Sequence, residues 1–426
     1  MDNFSELLGK IAFKVDQNKY LTAIKQTFTI YMPFVIAGSF ATLFNALLSS
    51  TETGLAQFSA LSWLENLGPA FNAMSFTTLN IMALAITVIL GAVLGKNNKI
   101  NPITGSVIAL SSYIAVVPQG IETVIDGAEQ LVAGLPVETI NASGLFIGMI
   151  IAIISVELFS GLSKQENLRI NMPESVPKVI TDFFNALIPT IIILLIFSIF
   201  GKLFNVLTGE YLNEFIYSII QSPLEIMVQT PVGIILLVVV AQLFWAVGIH
   251  GGLVVSPIRN PLLIAALAAN IEAVNNGLDP SRTVTLGFWT AFMVPGGAGL
   301  TLSLMIAIFI FSKNEESKAI SKISFIPALF GISEPIVFGL PLVLNPIYFI
   351  PFAFSSGIAT AIGLFFSSIG FITPNVVDVP FGLPIGVNAF LGWGWQGVIV
   401  QLIILFVGVL IYVPFVLAEN RVKVEN

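Results

Sequence analysis

The chain has 426 residues, 56% of them hydrophobic and 10% charged, with 35 phenylalanines and a mean hydropathy of +0.95. A soluble globular protein cannot hide that much apolar surface from water, so the composition is that of a polytopic membrane protein. With no cysteine and one histidine, disulfides, thiolate metal sites and a cysteine nucleophile within these residues are excluded, and the net charge of −7 bears on loop topology more than on partners.

The first stretch, Met1 to Tyr20, sets Phe4, Leu7, Leu8, Ile11 and Val15 at helical spacing among Lys10, Lys14 and Lys19. That pattern predicts an amphipathic helix in the cytoplasmic membrane interface and no cleavable signal peptide. Spans of about 20 apolar residues are then expected at Thr27 to Leu48, Phe71 to Leu94, Ile103 to Val117, Ala142 to Leu162 and Val179 to Leu207. The connection Ser49 to Gly68 carries Glu52 and Glu65, and Gln119 to Thr139 carries Glu122, Asp126, Glu129 and Glu138, both without a basic residue. Lys96 and Lys99 follow the second span, and Lys164, Arg169 and Lys178 follow the fourth. The acidic connections are therefore expected outside and the basic ones inside. Gly209 to Thr230, interrupted by Pro223, predicts an amphipathic connector.

In the second half, Pro231 to Ile249, Thr285 to Phe311, Ile347 to Ile369 and Gly397 to Leu417 read as ordinary spans. Two apolar segments between them are broken by glycine and proline. His250 to Asn270 contains Gly251, Gly252, Pro257, Arg259, Asn260 and Pro261; Phe325 to Pro346 contains Pro327, Gly331, Pro335, Gly339, Pro341 and Pro346. Such breaks free backbone groups that hydrocarbon cannot satisfy, so they belong inside protein or around a watery cavity and point to a transport site. If Lys313, Lys318 and Lys322 lie inside with Arg421 and Lys423, the first broken segment crosses and the second folds back on its own side. Lys202, Arg259 and Arg282 are the basic residues this scheme leaves off the inner face.

The expected architecture is an all-α polytopic membrane protein of about ten transmembrane helices and two re-entrant segments, with both termini cytoplasmic. Residues 1–208 would form one half, 209–230 the connector and 231–426 a second half with breaks near 250–270 and 325–346.

An ionisable group at membrane depth is costly and asks for a functional explanation. His250 lies in the apolar run Phe244 to Leu253, and Glu334 in Gly331-Ile332-Ser333-Glu334-Pro335. A carboxylate withdrawn from water suits the role of proton acceptor, and a positioned base typically contributes about a hundred- to ten-thousand-fold when an attacking hydroxyl must shed its proton. Trp245, Trp393 and Trp395 offer flat faces for stacking, and Asn260, Asn388 and Gln396 can bond hydroxyls. Glu157, beside Lys164 near the end of its span, reads as structural. Gly91 with Gly95 and Gly144 with Gly148 have the spacing that lets helices approach closely, within the chain or between copies.

The run Gly331 to Pro335, continuing into Gly339-Leu340-Pro341-Leu342-Val343-Leu344-Asn345-Pro346, together with Gly248-Ile249-His250-Gly251, resembles enzyme IIC. That is the membrane component of the bacterial phosphoenolpyruvate-dependent sugar phosphotransferase system. The likeness is to its lactose, cellobiose and diacetylchitobiose branch, the diacetylchitobiose permeases above all, and it covers essentially the whole chain. The resemblance implies ten transmembrane helices, two re-entrant hairpins, an N-terminal half forming a homodimer interface and a C-terminal half that moves with the sugar. It implies that His250 hydrogen-bonds the sugar and that Glu334 sits at the hydroxyl to be phosphorylated. It also implies a phosphocysteine donor on a separate cytoplasmic enzyme IIB, served in turn by IIA, in keeping with a chain that has no cysteine.

Two mechanisms follow. In the first, a β-linked disaccharide binds from outside, crosses, and is phosphorylated by IIB. In the second, a proton- or ion-coupled symporter, Glu334 carries a proton and no phosphoryl group moves. No cofactor, nucleic acid or metal is expected, since one histidine and one glutamate do not complete a ligand set.

Overall fold

The computed structural model describes residues 2–422 apart from 52, 53, 126, 127, 171, 174, 175 and 341. Glu52, Asp126, Pro341 and Lys423, used above, lie outside the described residues. Two compact units are present, one of Met1–Gln17, Ile36–Asn72 and Glu225–Asn426, the other of Asn18–Val35 and Ala73–Leu224.

The chain opens with α1 (Asp2–Gln17) and α2 (Lys19–Phe44), which ends in a wide turn at Asn45–Ser49. Short 3-10 pieces lead to α3 (Gly68–Ser75), α4 (Met82–Asn97) and α5 (Pro102–Val116). The start of α5 is set locally: Asn101 accepts a hydrogen bond from the Ile103 amide at 2.8 Å, and Pro102 occupies the first turn. Then come the strands β1 (Gly120–Ile125) and β2 (Ala128–Ala133), followed by α6 (Val137–Ile140), α7 (Leu145–Ser163), α8 (Lys178–Thr208), α9 (Leu212–Ile216) and α10 (Ser222–Gln229).

In the second of the two units, α4, α5, α7 and α8 pack together. A Cβ at Gly105 would lie 2.4 Å from the Gly91 carbonyl oxygen, so the small-residue spacing at Gly91 serves packing within the chain. Tyr113 and Tyr31 donate to the carbonyls of Thr139 and Thr78, which satisfies polar groups in an apolar core. Glu157 is structural as expected, but its partners are Lys19 at 2.8 Å and Asn98 at 3.0 Å. The acidic connection after α5 is not a plain loop: β1 and β2 pair antiparallel from Gly120 opposite Ala133 to Ile125 opposite Ala128. Reading that stretch for charge alone passes over its alternating residues.

The other unit carries α11 (Pro231–Ala246), α12 (Gly251–Asn275), α13 (Leu286–Phe288), α14 (Thr301–Phe311), α15 (Glu315–Leu329), α16 (Glu334–Gly339), α17 (Phe349–Ser368) and α18 (Val387–Val422). Thr230 caps α11 by accepting from the Gly233 amide at 3.2 Å. Helix α1 belongs to this unit. Its Leu8 and Ala12 are buried with Phe244 against Val247, Ile249 and Val254, while Leu7, Ile11 and Phe13 stay exposed. One side of the amphipathic helix is thus spent on protein next to His250.

Two sequence expectations are corrected. The first broken segment is a continuous helix, α12, with Pro257 and Pro261 inside it, and the break falls earlier, at 247–250. Proline at 257 leaves the carbonyl of Leu253 without its helical donor, and the Ser256 hydroxyl supplies one at 2.9 Å. Conversely, Thr285 to Phe311 is long and apolar enough to cross, as expected, but it is not one regular helix. It is interrupted at 294–300, where Gly296, Gly297, Gly299 and Leu300 all have positive φ. Side chains satisfy the freed backbone: Gln242 accepts from the Gly299 amide at 2.9 Å, and Ser355 and Tyr412 donate to the Gly299 carbonyl. The second broken segment, between α15 and α17, is broken as expected, and α18 starts at Val387, ahead of the expected Gly397, with non-helical backbone at Gly394.

Among the described residues, seven helices are long and apolar enough to cross a membrane, or nine if each of two bent pairs is one span, against the ten expected. Pro102–Val116 is apolar but only 15 residues long.

Candidate functional site

The position of His250 is set by the end of α11. Gly248, with φ of 87°, reverses the chain after Trp245, and the Ile249 amide returns to the Phe244 carbonyl at 3.0 Å. His250 then becomes the N-cap of α12, its Nδ1 accepting from the Leu253 amide at 3.2 Å. An Nδ1 that accepts places the proton of the neutral ring on Nε2, so Nε2–H is the group presented outward. The Trp245 ring lies beside it, 4.3 Å between centroids and tilted by 44°. Gly251 must be glycine: a Cβ would sit 1.7 Å from the Ala241 carbonyl oxygen.

Glu334 arrives from the other side. Helix α15 ends at Leu329, Gly331 turns with φ of 80°, and the Ile332 amide bonds the Pro327 carbonyl at 3.1 Å. Glu334 is then the first residue of α16, followed by Pro335 in its first turn. The loop at 294–300 backs this turn so closely that a Cβ at Gly297 would lie 2.8 Å from the Ser333 Cβ. Beyond α16, the Leu344 amide donates to the Ala246 carbonyl at 2.8 Å, which ties the two site-bearing connections together through main chain.

His250 Nε2 and Glu334 Oε1 are 3.6 Å apart. That is too long for a direct hydrogen bond, and their side chains are 40% and 46% exposed, so both can reach a third group. The expectation of a carboxylate shut in a low-dielectric interior is corrected: Glu334 opens on an accessible space. An imidazole N–H and a carboxylate converging on one point can hold a hydroxyl from both ends, the carboxylate accepting its proton.

The remaining sequence candidates divide. Trp245 is buried against His250 and steadies the ring. Asn260 accepts from Arg259 Nε at 3.0 Å and Nη2 at 2.8 Å, and the Arg259 guanidinium lies over the Trp289 ring at 4.5 Å. Trp393 is buried against Phe292 at 4.6 Å, and Asn388 accepts from Gln401 at 2.9 Å, so both side chains are engaged within the protein. Trp395 is exposed and meets Phe390; Gln396 is exposed as well. Among the described residues no group of three or more His, Cys, Asp or Glu side chains could hold a metal ion.

Sequence reasoning missed the loop at 294–300 and the segment 375–386. The signal for the first was Gly296-Gly297-Ala298-Gly299, too much glycine for a plain span. For the second it was the amide of Asn375 close to Asp378.

The family profile described as Phosphotransferase system, EIIC matches residues 25–356, which include His250 and Glu334. The chain belongs to the EIIC family. This EIIC is 29% identical to the oligo-beta-mannoside-specific EIIC component of the PTS system of Bacillus subtilis (strain 168), over 100% of the chain and 95% of that protein. It is 26% identical to the cellobiose-specific EIIC component of Geobacillus stearothermophilus, over 97% of the chain and 94% of that protein. Among solved structures it matches the transporter ChbC, the IIC component of the N,N'-diacetylchitobiose-specific phosphotransferase system, with a TM-score of 0.89. The identity there is 30%, over 97% of this chain and 96% of that one. The resemblance seen in the Gly331 and His250 motifs therefore holds for the whole fold. This EIIC is a multi-span membrane protein, the sugar permease component of a phosphotransferase system.

Proposed function

We propose that this EIIC binds a β-linked disaccharide from outside, carries it across the bilayer and presents it for phosphorylation by the phosphocysteine of a separate cytoplasmic enzyme IIB, itself charged through IIA. Diacetylchitobiose is the favoured sugar, with cellobiose or lactose next. The observation that carries this reading is the 3.6 Å approach of His250 Nε2 to Glu334 Oε1, both side chains remaining accessible. The names of the relatives, specific for cellobiose, diacetylchitobiose and oligo-beta-mannosides, support the sugar class.

In this reading His250 donates to the sugar, Trp245 and Asn260 line its side of the site, and Glu334 accepts the proton of the attacking hydroxyl. The O–P bond forms as the S–P bond of IIB breaks, the cysteine leaves as thiolate, and the hydroxyl proton passes to Glu334. The second half, 231–426, moves with the sugar, residues 1–208 form a homodimer interface, 209–230 connect the two, and ten crossings leave both termini cytoplasmic in the bacterial inner membrane.

A binding screen of purified protein against diacetylchitobiose, cellobiose and lactose tests the sugar. Diacetylchitobiose should bind tightest, and binding of none of the three would remove the reading. His250→Ala loses the Nε2 donor and the N-cap of α12. It should weaken sugar binding by about tenfold or more, as expected for a lost hydrogen bond to a polar ligand, and lower stability by about 0.5–2 kcal/mol. Unchanged affinity in a titration would make the residue purely structural.

A further inference from the structure

The segment 375–386, between α17 and α18, works as a strap across the site-bearing unit. At one end Asn375 accepts from the Thr285 hydroxyl at 2.6 Å, and its carbonyl accepts from Asn270 at 3.0 Å, near the end of the helix that His250 caps. At the other end the Ile385 amide donates to the Leu329 carbonyl at 2.8 Å, and the Phe381 ring lies 3.6 Å from where a Cβ of Gly331 would be. The strap therefore grips both the α12 side and the turn that delivers Glu334.

Asp378 sits in the middle of it, 1% exposed between buried Val377 and Val379, and neither carboxylate oxygen has a hydrogen-bonding partner of good geometry. The elements bonded to the strap or continuous with it carry these charges: Arg259 and Glu272 on α12, Asp279 and Arg282 after it, Glu334 on α16, and Glu419 on α18, which is engaged with Asn314, Ser317 and Tyr348. The charges of α15 all precede Ser324. None of these groups pairs with Asp378 within 4.0 Å among the described residues. A buried carboxylate without a partner favours its neutral form. Burial pushes the carboxyl up from 3.8 to about 6, with the Val379 amide pulling weakly the other way.

We propose that Asp378 is a proton-binding site linked to the sugar site: a closed strap holds it protonated, and loss of the proton frees the strap and the turn that presents Glu334. A carboxyl raised in the closed form favours closure fully below its ordinary value, and that advantage is lost as pH rises through about 6. The ceiling on the effect is on the order of a hundred-fold in the closing equilibrium between pH 4 and pH 7. The linkage is local and leaves the direction of transport to phosphorylation. The coupling to sugar rests on the proposed His250–Glu334 site; the strap itself does not.

Hydrogen exchange of the full chain in lipid nanodiscs separates the two. Without sugar, the Ile385 and Gly386 amides of the wild type should lose about tenfold or more of their protection between pH 4.5 and 7.5, after correction for intrinsic exchange. In Asp378→Asn the protection should stay level. Level protection in the wild type, or loss in the variant equal to that of the wild type, would overturn the proposal. Calorimetry of diacetylchitobiose binding near pH 6 in two buffers of different ionisation enthalpy should then show proton uptake in the wild type and none in Asp378→Asn. Equal uptake in both would overturn the link to sugar, while the exchange result in the wild type stands whether or not the variant folds.

Discussion

Glu334→Gln should keep sugar binding within about tenfold of the wild type and lose about a hundred- to ten-thousand-fold in the rate of sugar phosphorylation, the usual contribution of a general base. The amide fills the same volume at the head of α16 and still bonds a hydroxyl, so the ground state is nearly preserved. It cannot take the proton that the hydroxyl must shed as the O–P bond forms. Because His250 Nε2 stands 3.6 Å away, the sugar oxygen keeps a donor. A phosphorylation assay with phospho-IIB, run beside an equilibrium binding titration, checks both halves. Loss of binding equal to the loss of rate would mean that Glu334 only holds the sugar.

Gly251→Ala should be among the most damaging single-methyl changes in the chain. The added Cβ falls 1.7 Å from the Ala241 carbonyl oxygen, well inside van der Waals contact, and the obstacle is backbone that cannot rotate away. Helices α11 and α12 must part, and the connection carrying His250 moves with them. The expected cost is about 3 kcal/mol or more, at the upper end for overpacking, with loss of measurable sugar binding. Gly161→Ala is the matched control. It lies inside α7, and a methyl added there meets nothing within 4 Å, so it should be neutral or stabilising by about 0.5–1 kcal/mol. Thermal unfolding of the two variants compares them directly, and similar midpoints would refute the close approach at Gly251.

The spans were legible because hydropathy over about 20 residues is a strong signal, and His250 and Glu334 because a lone charge in apolar sequence has to be explained. Their separation was not legible. It depends on Gly248, Gly331 and the bond from Leu344 to Ala246, which join residues far apart in the chain. Helix α12 was misread because proline counts against a helix until a side chain such as Ser256 supplies the missing donor. The break at 294–300 was hidden by its own composition, since glycine and alanine do not lower mean hydropathy enough to end a span. Trp393 and Asn388 show a different limit: their letters do not reveal that the ring packs on Phe292 and that the amide bonds Gln401. The strap was invisible for the reason that Asn270 and Asn375, 105 residues apart, meet only in the folded chain.

On the proposed function, this chain delivers sugar to a phosphoryl donor and does not release it unmodified. Proteoliposomes holding the purified chain, with labelled disaccharide on one side and phosphorylated IIB on the other, test it by the chemical form of the product. Label should gather on the IIB side as sugar phosphate, should need phospho-IIB, and should do so without an imposed proton gradient. Free sugar accumulating without IIB and in proportion to a proton gradient would contradict it.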